Sequence, residues 1–191
     1  MTHRLVYVVG PSGAGKDSVL HHLREAWTGM PPAHWARRTI TRVAQAGGEA
    51  NEWVDRPAFE RLQQAGAFAM HWQANGHAYG VRRPELAPLA SGHCVFVNGS
   101  RAHLPQLLAQ WPEATVVQIS APADVLLQRL RARNRESVQA ISDRLARGID
   151  VELPASAIRI VNDGPLSEAV DMLLAALQSR LGERTTRAMA R

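Results

Sequence analysis

The chain has 191 residues, 46% of them hydrophobic and 20% charged, which suits one buried core and excludes disorder, collagen and disulfide scaffolds. Its formal charge of +5 fits an anionic partner without choosing among phosphorylated metabolites, nucleic acid and membrane surface. The single cysteine, Cys94, excludes an intramolecular disulfide and a cysteine-rich metal site. No stretch approaches the ~18 apolar residues of a spanning helix, so a soluble cytoplasmic protein without a membrane partner is expected.

Residues 5–9 form a β-branched apolar run ending at Gly10. A glycine-rich turn and an apolar period through Val19, Leu20, Leu23 and Trp27 follow, predicting strand, loop and helix. Residues 37–53 are polar and basic, with a weak extended segment at 39–41. Asp55 is an N-cap for a helix through Phe59 and Leu62 that stops at Gly66. Residues 68–81 read as short strands and turns, 84–91 as a helix, 94–97 as a buried strand and 102–111 as a helix. A third strand at 115–119 leads into a helix carrying Leu126 and Leu130. A further helix is predicted after Ser137, a fourth core strand at 158–161 and an amphipathic helix at 166–181, with a polar tail from Gly182. Strands alternating with helices predict an α/β fold with a parallel sheet sandwiched by helices, organised as one domain over residues 1–191.

Gly10-Pro11-Ser12-Gly13-Ala14-Gly15-Lys16 has the spacing of a phosphate-binding loop, with the required strand before it and helix after it. Glycines let successive backbone N–H groups converge on phosphate oxygens at a helix N-terminus. Lys16 is the only lysine among 22 basic side chains; a slender point charge fits among packed amides where a guanidinium would not. The next residue is Asp17, where such loops commonly carry Ser or Thr, and Ser18 follows. Both offer hard oxygens to Mg²⁺, although Asp17 is equally readable as a carboxylate favoured by the helix dipole.

Beyond the loop, Thr41-Arg42, Gly48-Glu49, Gly76-His77-Ala78-Tyr79-Gly80, the arginines from Arg129 to Arg135, Arg144-Leu145 and Asn162-Asp163 occur in one order. In that order they resemble the guanylate-kinase-like branch of the P-loop nucleoside monophosphate kinases. The resemblance implies a P-loop NTPase fold with a small acceptor-binding insertion, about 37–81, and a lid, about 129–147. It implies ATP at residues 10–18, with Arg133, Arg135 and Asn162, and catalysis through Lys16, Arg133 and Arg144. Arg42 and Tyr79 would hold the acceptor's phosphate. Of the lid arginines, Arg133 and Arg135 are assigned to ATP, and Arg129 and Arg131 to solvent or pairing.

Guanylate kinases read their base with carboxylates and a serine; the corresponding regions here carry Met70 or His71, Asn98-Gly99-Ser100 and Arg38. Leaving guanine N–H donors unpaired would cost about 1–3 kcal/mol each. Phosphate readers without base readers, together with Gly-Lys-Asp-Ser and Val97-Asn-Gly-Ser-Arg101, are similar to the ribose 1,5-bisphosphate phosphokinases of phosphonate catabolism. That similarity implies transfer from ATP to ribose 1,5-bisphosphate, giving ADP and 5-phosphoribosyl 1-diphosphate, with Mg²⁺. A phosphate acceptor is already ionised near neutral pH and needs no general base. Arg38 and Arg101 are candidate extra cations or plain surface arginines, and Trp53 and Trp72 either line the acceptor pocket or pack in the core. The rivals are a guanylate kinase and a non-catalytic interaction module; no nucleic-acid motif accompanies the charge.

Overall fold

Leu5–Val9 (β1) and Cys94–Asn98 (β7) are buried at every residue, the pattern of strands covered on both faces, which pair in parallel. The computed structural model describes residues 4–41, 51–132 and 151–189, with side chains described to Leu181. Its main sheet has the order β2-β7-β1-β8-β9, β2 being Ala33–Trp35, β8 Thr115–Ser120 and β9 Ile158–Val161. A second sheet has the order β4-β3-β6-β5, built from Arg38–Ile40 (β3), Glu52–Trp53 (β4), Phe68–Ala74 (β5) and His77–Arg82 (β6).

The chain divides into two compact units. The first comprises Met1–Val8 and Pro31–Thr115. In it β7 runs parallel to both β1 and β2, and Trp35 of β2 stacks on Phe96 of β7 with ring centroids 4.1 Å apart. Helix Arg56–Gln64 (α2) starts as predicted: the Asp55 carboxylate accepts from the Ala58 N–H at 2.7 Å. Its Phe59 stacks on Phe68 of the second sheet, and Ala78, Val54 and Leu62 complete that cluster.

The predicted loose strands and turns of 68–81 are one antiparallel hairpin, β5–β6, closed by Asn75-Gly76 with φ of 50° and 76°. Two central residues at positive φ make the turn whose twist matches a hairpin. The helix expected over 84–91 is short, Arg83–Leu86 (α3), and then tightens into a 3₁₀ turn at Ala87–Ser91, because Pro88 has no N–H to continue the α ladder. Arg101–His103 is likewise 3₁₀ before helix Leu104–Gln110 (α4).

The second unit comprises Val9–Met30 and Val116–Arg191. Helix Lys16–Ala26 (α1) buries Val19, Leu20 and Leu23 and packs on the C-terminal helix, which buries Ala169, Val170, Leu173 and Leu177 at helical spacing. Helix Ala123–Ala132 (α5) buries Leu126 and Leu130, and β8 and β9 pair in parallel from Val117↔Ile158 to Ser120↔Val161. The C-terminal helix runs on to Met189, past the polar tail expected from Gly182. One interior glycine costs only about 1 kcal/mol, and the packed turns before it supply the nucleus. No helix among the described residues is long and apolar enough to cross a membrane.

Candidate active site

In the second unit, α1 begins at Lys16 with Gly15 as its N-cap, at φ 84° and ψ 21°, and no side chain caps it. A helix N-terminus of this kind turns its backbone N–H groups and positive dipole end toward the loop, where an anion fits best. A Cβ on Gly15 would lie 2.5 Å from Nδ2 of Asn162, so both its dihedral and its neighbour demand glycine. Asn162 is 4% exposed and donates through Nδ2 to the Ala14 carbonyl at 2.8 Å, while Nη1 of Arg129 donates to the Asn162 carbonyl at 2.9 Å. This chain of contacts braces the loop from below. Lys16 folds back, donating from Nζ to the carbonyls of Gly10 and Pro11 at 2.9 and 3.1 Å, which keeps its ammonium within the loop. Asp17 and Ser18 are exposed in the first turn of α1.

In the first unit, cross-strand partners share a sheet face. The registers Arg38↔Val81, Ile40↔Tyr79, Trp72↔Tyr79 and Met70↔Val81 put Arg38, Ile40, Met70, Trp72, Tyr79 and Val81 on one face, opposite the Ala78 face that meets α2. Trp53, the partner of Ile40, joins them. The Arg38 guanidinium lies 5.9 Å from the Tyr79 ring centroid, within cation–π range. It donates to the Asn98 carbonyl and to Oδ1 of Asn51, both at 3.4 Å.

Two clamps deliver Arg38 to that position. Glu85 accepts from Nε2 of His34 at 2.7 Å and from the Arg37 N–H at 2.9 Å, fixing the β2–β3 junction to α3. Burial pushes the Glu85 carboxyl up, but the bonds from Arg37 and His34 outweigh it and hold the group below the usual carboxylate range. Glu52 accepts from the Thr39 hydroxyl at 2.7 Å and from Nη2 of Arg82 at 2.6 Å, fastening β4, β3 and β6 together.

Beside this face, the loop after β7 rests on Tyr7 of β1, which is fully buried. The Ser100 N–H donates to the Tyr7 phenol oxygen at 3.0 Å, and Nδ1 of His103 lies 3.1 Å from the same oxygen. Burial pushes the Tyr7 phenol up, opposed by the Ser100 bond and the charge of Arg38. Burial, reinforced by His71, pushes the His103 imidazole down. The His103 ring lies 5.5 Å from Trp72, and Trp72 lies parallel to Tyr79 at 5.8 Å.

The sequence-derived residues therefore sort as follows. Gly10 to Ser18 and Asn162 fall in the second unit, with the Asn162 amide on the loop itself. Arg38, Tyr79 and Trp72 fall together on one sheet face of the first, and Arg101 opens the 3₁₀ turn after β7. Arg42, Arg133, Arg135 and Arg144 lie outside the described residues. Arg129, assigned to solvent or pairing, is paired. Tyr7 and His103 carry no motif signal, since Tyr7 reads as one more apolar strand residue. The Asn75-Gly76 pair was the available signal for the hairpin. Among the described residues no group of three His, Cys, Asp or Glu side chains could hold a metal.

A family model described as guanylate kinase matches residues 2–180. A protein named ribose 1,5-bisphosphate phosphokinase PhnN from Rhizobium etli is 39% identical over 180 residues, covering 94% of this chain and 91% of that one. One of the same name from Pseudomonas fluorescens is 42% identical over 183 residues, covering 93% and 96%. A third, from Janthinobacterium sp. (strain Marseille), is 45% identical over 177 residues; the match takes in 92% of this chain and only 39% of that longer protein. Among solved structures, guanylate kinase from Anaplasma phagocytophilum superposes with a TM-score of 0.68 at 21% identity, covering 92% of this chain and 84% of that one.

Proposed function

The chain belongs to the guanylate kinase family, and from that premise we propose that it is a ribose 1,5-bisphosphate phosphokinase. It moves the γ-phosphoryl group of ATP onto the 1-phosphate of ribose 1,5-bisphosphate, giving ADP and 5-phosphoribosyl 1-diphosphate. The observation that carries the reading is near full-length identity of 39% and 42% to two proteins of that name. The composition of the acceptor face supports it. The strand residues of that face offer the donors of Arg38 and Tyr79 and no carboxylate. Such a face suits phosphate oxygens and leaves the N–H groups of a guanine without acceptors.

The reacting oxygen belongs to a phosphate monoester whose second pKa is about 6, so it arrives as an anion and no side chain has to take a proton from it. As the bond from that oxygen to the γ-phosphorus forms, the bond from the γ-phosphorus to the β,γ-bridging oxygen breaks, and the charge leaves on ADP. The chain's task is alignment of two anions and neutralisation of the charge between them. The backbone N–H groups of the loop after Pro11 and the Lys16 ammonium take the nucleotide phosphates. Arg38 and Tyr79 take the acceptor, with Arg42 and Arg101 as further cations. Arg133, Arg135 and Arg144 are assigned to the nucleotide by family resemblance.

The exposed oxygens of Asp17 and Ser18 in the first turn of α1 fit Mg²⁺, which binds through one or two protein oxygens plus substrate phosphates rather than in a protein cage. When bound, the ion neutralises charge on the β- and γ-phosphates.

The test is to incubate purified protein with Mg-ATP and either ribose 1,5-bisphosphate or GMP, and to follow ADP. ADP release with the bisphosphate supports the assignment. Turnover with GMP alone makes the protein a guanylate kinase, and turnover with neither, alongside unchanged behaviour of Lys16→Ala, favours a non-catalytic module.

A further inference from the structure

Tyr7 is the one fully buried tyrosine among the described residues, its hydroxyl is shared by two groups, and phosphoryl transfer makes no use of it. A phenol has one proton and can accept from others. The Ser100 N–H at 3.0 Å already donates into the oxygen. The proton then has two acceptors within reach, Nδ1 of His103 at 3.1 Å and the Ser100 carbonyl at 3.5 Å. In the arrangement proposed below, the nearer nitrogen takes it. His103 is thereby held with Nδ1 bare and its hydrogen on Nε2. Burial favours this uncharged ring.

The same phenol explains why the loop after β7 reads Gly99-Ser100. A Cβ on Gly99 would lie 2.0 Å from Cζ of Tyr7, so only glycine lets the backbone settle on the ring and bring the Ser100 N–H to its oxygen. The loop so placed carries the Asn98 carbonyl that receives Arg38, and it leads directly into His103. The His103 ring meets Trp72, Trp72 lies parallel to Tyr79, and Arg38 lies beside Tyr79. The two acceptor-binding side chains, Arg38 and Tyr79, are therefore reached from Tyr7 by two short routes.

Resting on the function proposed above, we propose that Tyr7 and His103 are positioning residues of the acceptor site. Their hydrogen bond fixes the His103 ring, and through Trp72 and the Asn98 carbonyl it sets the places of Tyr79 and Arg38. Neither residue need touch the substrate. Losing them weakens acceptor binding and leaves the nucleotide side unchanged.

Two measurements test this. Protein labelled with ¹⁵N-histidine is examined by long-range ¹H–¹⁵N spectroscopy at pH 7.5, the His103 signal being assigned by its loss in His103→Gln. A bare Nδ1 and protonated Nε2 are expected in the wild type, and a mixed population in Tyr7→Phe. Hydrogen on Nδ1 in the wild type overturns the proposal without any variant having to fold. Steady-state kinetics with Mg-ATP and ribose 1,5-bisphosphate are then compared for wild type, Tyr7→Phe, His103→Phe and the double variant. The KM for the bisphosphate is expected to rise about tenfold in each single variant, the worth of about one hydrogen bond. The double variant should be no worse than either single, and the KM for ATP should stay within about twofold. Equal loss on both substrates, or multiplication of the two effects, overturns the pair as a positioning unit. No wild-type turnover of the bisphosphate overturns the function proposal and this one with it. Wild-type turnover with an unchanged acceptor KM in Tyr7→Phe overturns this one alone.

Discussion

Gly15→Ala perturbs the phosphate loop at the point where backbone and packing demands coincide. Gly15 sits at φ 84°, and holding an L-residue in the left-handed region costs roughly 1–2 kcal/mol. The new methyl would also lie 2.5 Å from Nδ2 of Asn162, closer than side-chain carbons tolerate, so the amide must move. Moving it breaks the 2.8 Å bond to the Ala14 carbonyl within a buried site and adds about 1–3 kcal/mol. The expected loss is therefore about 2–5 kcal/mol, or at ~2–4 °C per kcal/mol a fall in Tm of roughly 4–20 °C for a chain of this size. Asn162→Ala alone loses the bond and should cost about 1–3 kcal/mol. In the double variant the clash disappears, because its partner is gone, and only the dihedral cost joins the lost bond. The double variant should thus be more stable than the sum of the singles by about 1–3 kcal/mol. Urea unfolding of the three variants measures this, with ATP affinity by calorimetry as a companion reading. Additive effects would refute the steric coupling, and a Gly15→Ala loss under about 1 kcal/mol would refute the strain argument as well.

Other consequences are open to measurement. Lys16→Ala should reduce turnover by roughly 100- to 1,000-fold, the worth of one well-placed donor to developing charge, with the fold retained by circular dichroism. Arg38→Ala should raise the KM for ribose 1,5-bisphosphate by about 10- to 150-fold, as for a lost charged hydrogen bond of about 1.5–3 kcal/mol, while the KM for ATP holds. For Mg²⁺, Asp17→Ala should raise the concentration giving half-maximal rate by about tenfold and Asp17→Ser by less; unchanged values in both would remove Asp17 from the metal. Glu85 has a depressed carboxyl, so its contribution is present above the usual carboxylate range and is lost as pH falls through its folded value. Glu85→Gln should accordingly lower stability by about 1–3 kcal/mol at pH 7, and the gap from wild type should close as pH falls below the usual carboxylate range. His103 shifts the same way for stability: a lowered imidazole pKa makes wild type lose stability as pH drops below about 6.5, and His103→Phe should flatten that part of the curve.

Much of the donor side is written locally. A run of five apolar residues, a glycine-spaced turn and one lysine define strand, loop and helix within about twenty residues, because a phosphate nest is made of consecutive backbone amides and needs no distant partner. The N-cap at Asp55, the buried strands β1 and β7 and the apolar stripe of the C-terminal helix are local in the same sense, whereas β9, expected as a core strand, buries only Ile158 and Ile160 and leaves Arg159 and Val161 exposed.

Tertiary structure decided what depends on side chains far apart in sequence. The amide of Asn162 braces Ala14, 148 residues away, and nothing in either neighbourhood announces it. Tyr7 reads as a strand residue until Ser100 and His103 are brought to its hydroxyl. Arg38 and Trp72 could each have been surface or core until the registers of β3, β5 and β6 put them on one face with Tyr79. Composition and local motif determined the strand, the glycine-spaced loop and the helix that starts at the one lysine. Sheet register decided which arginine and which aromatics share one sheet face, since register is a relation between strands and no single strand contains it.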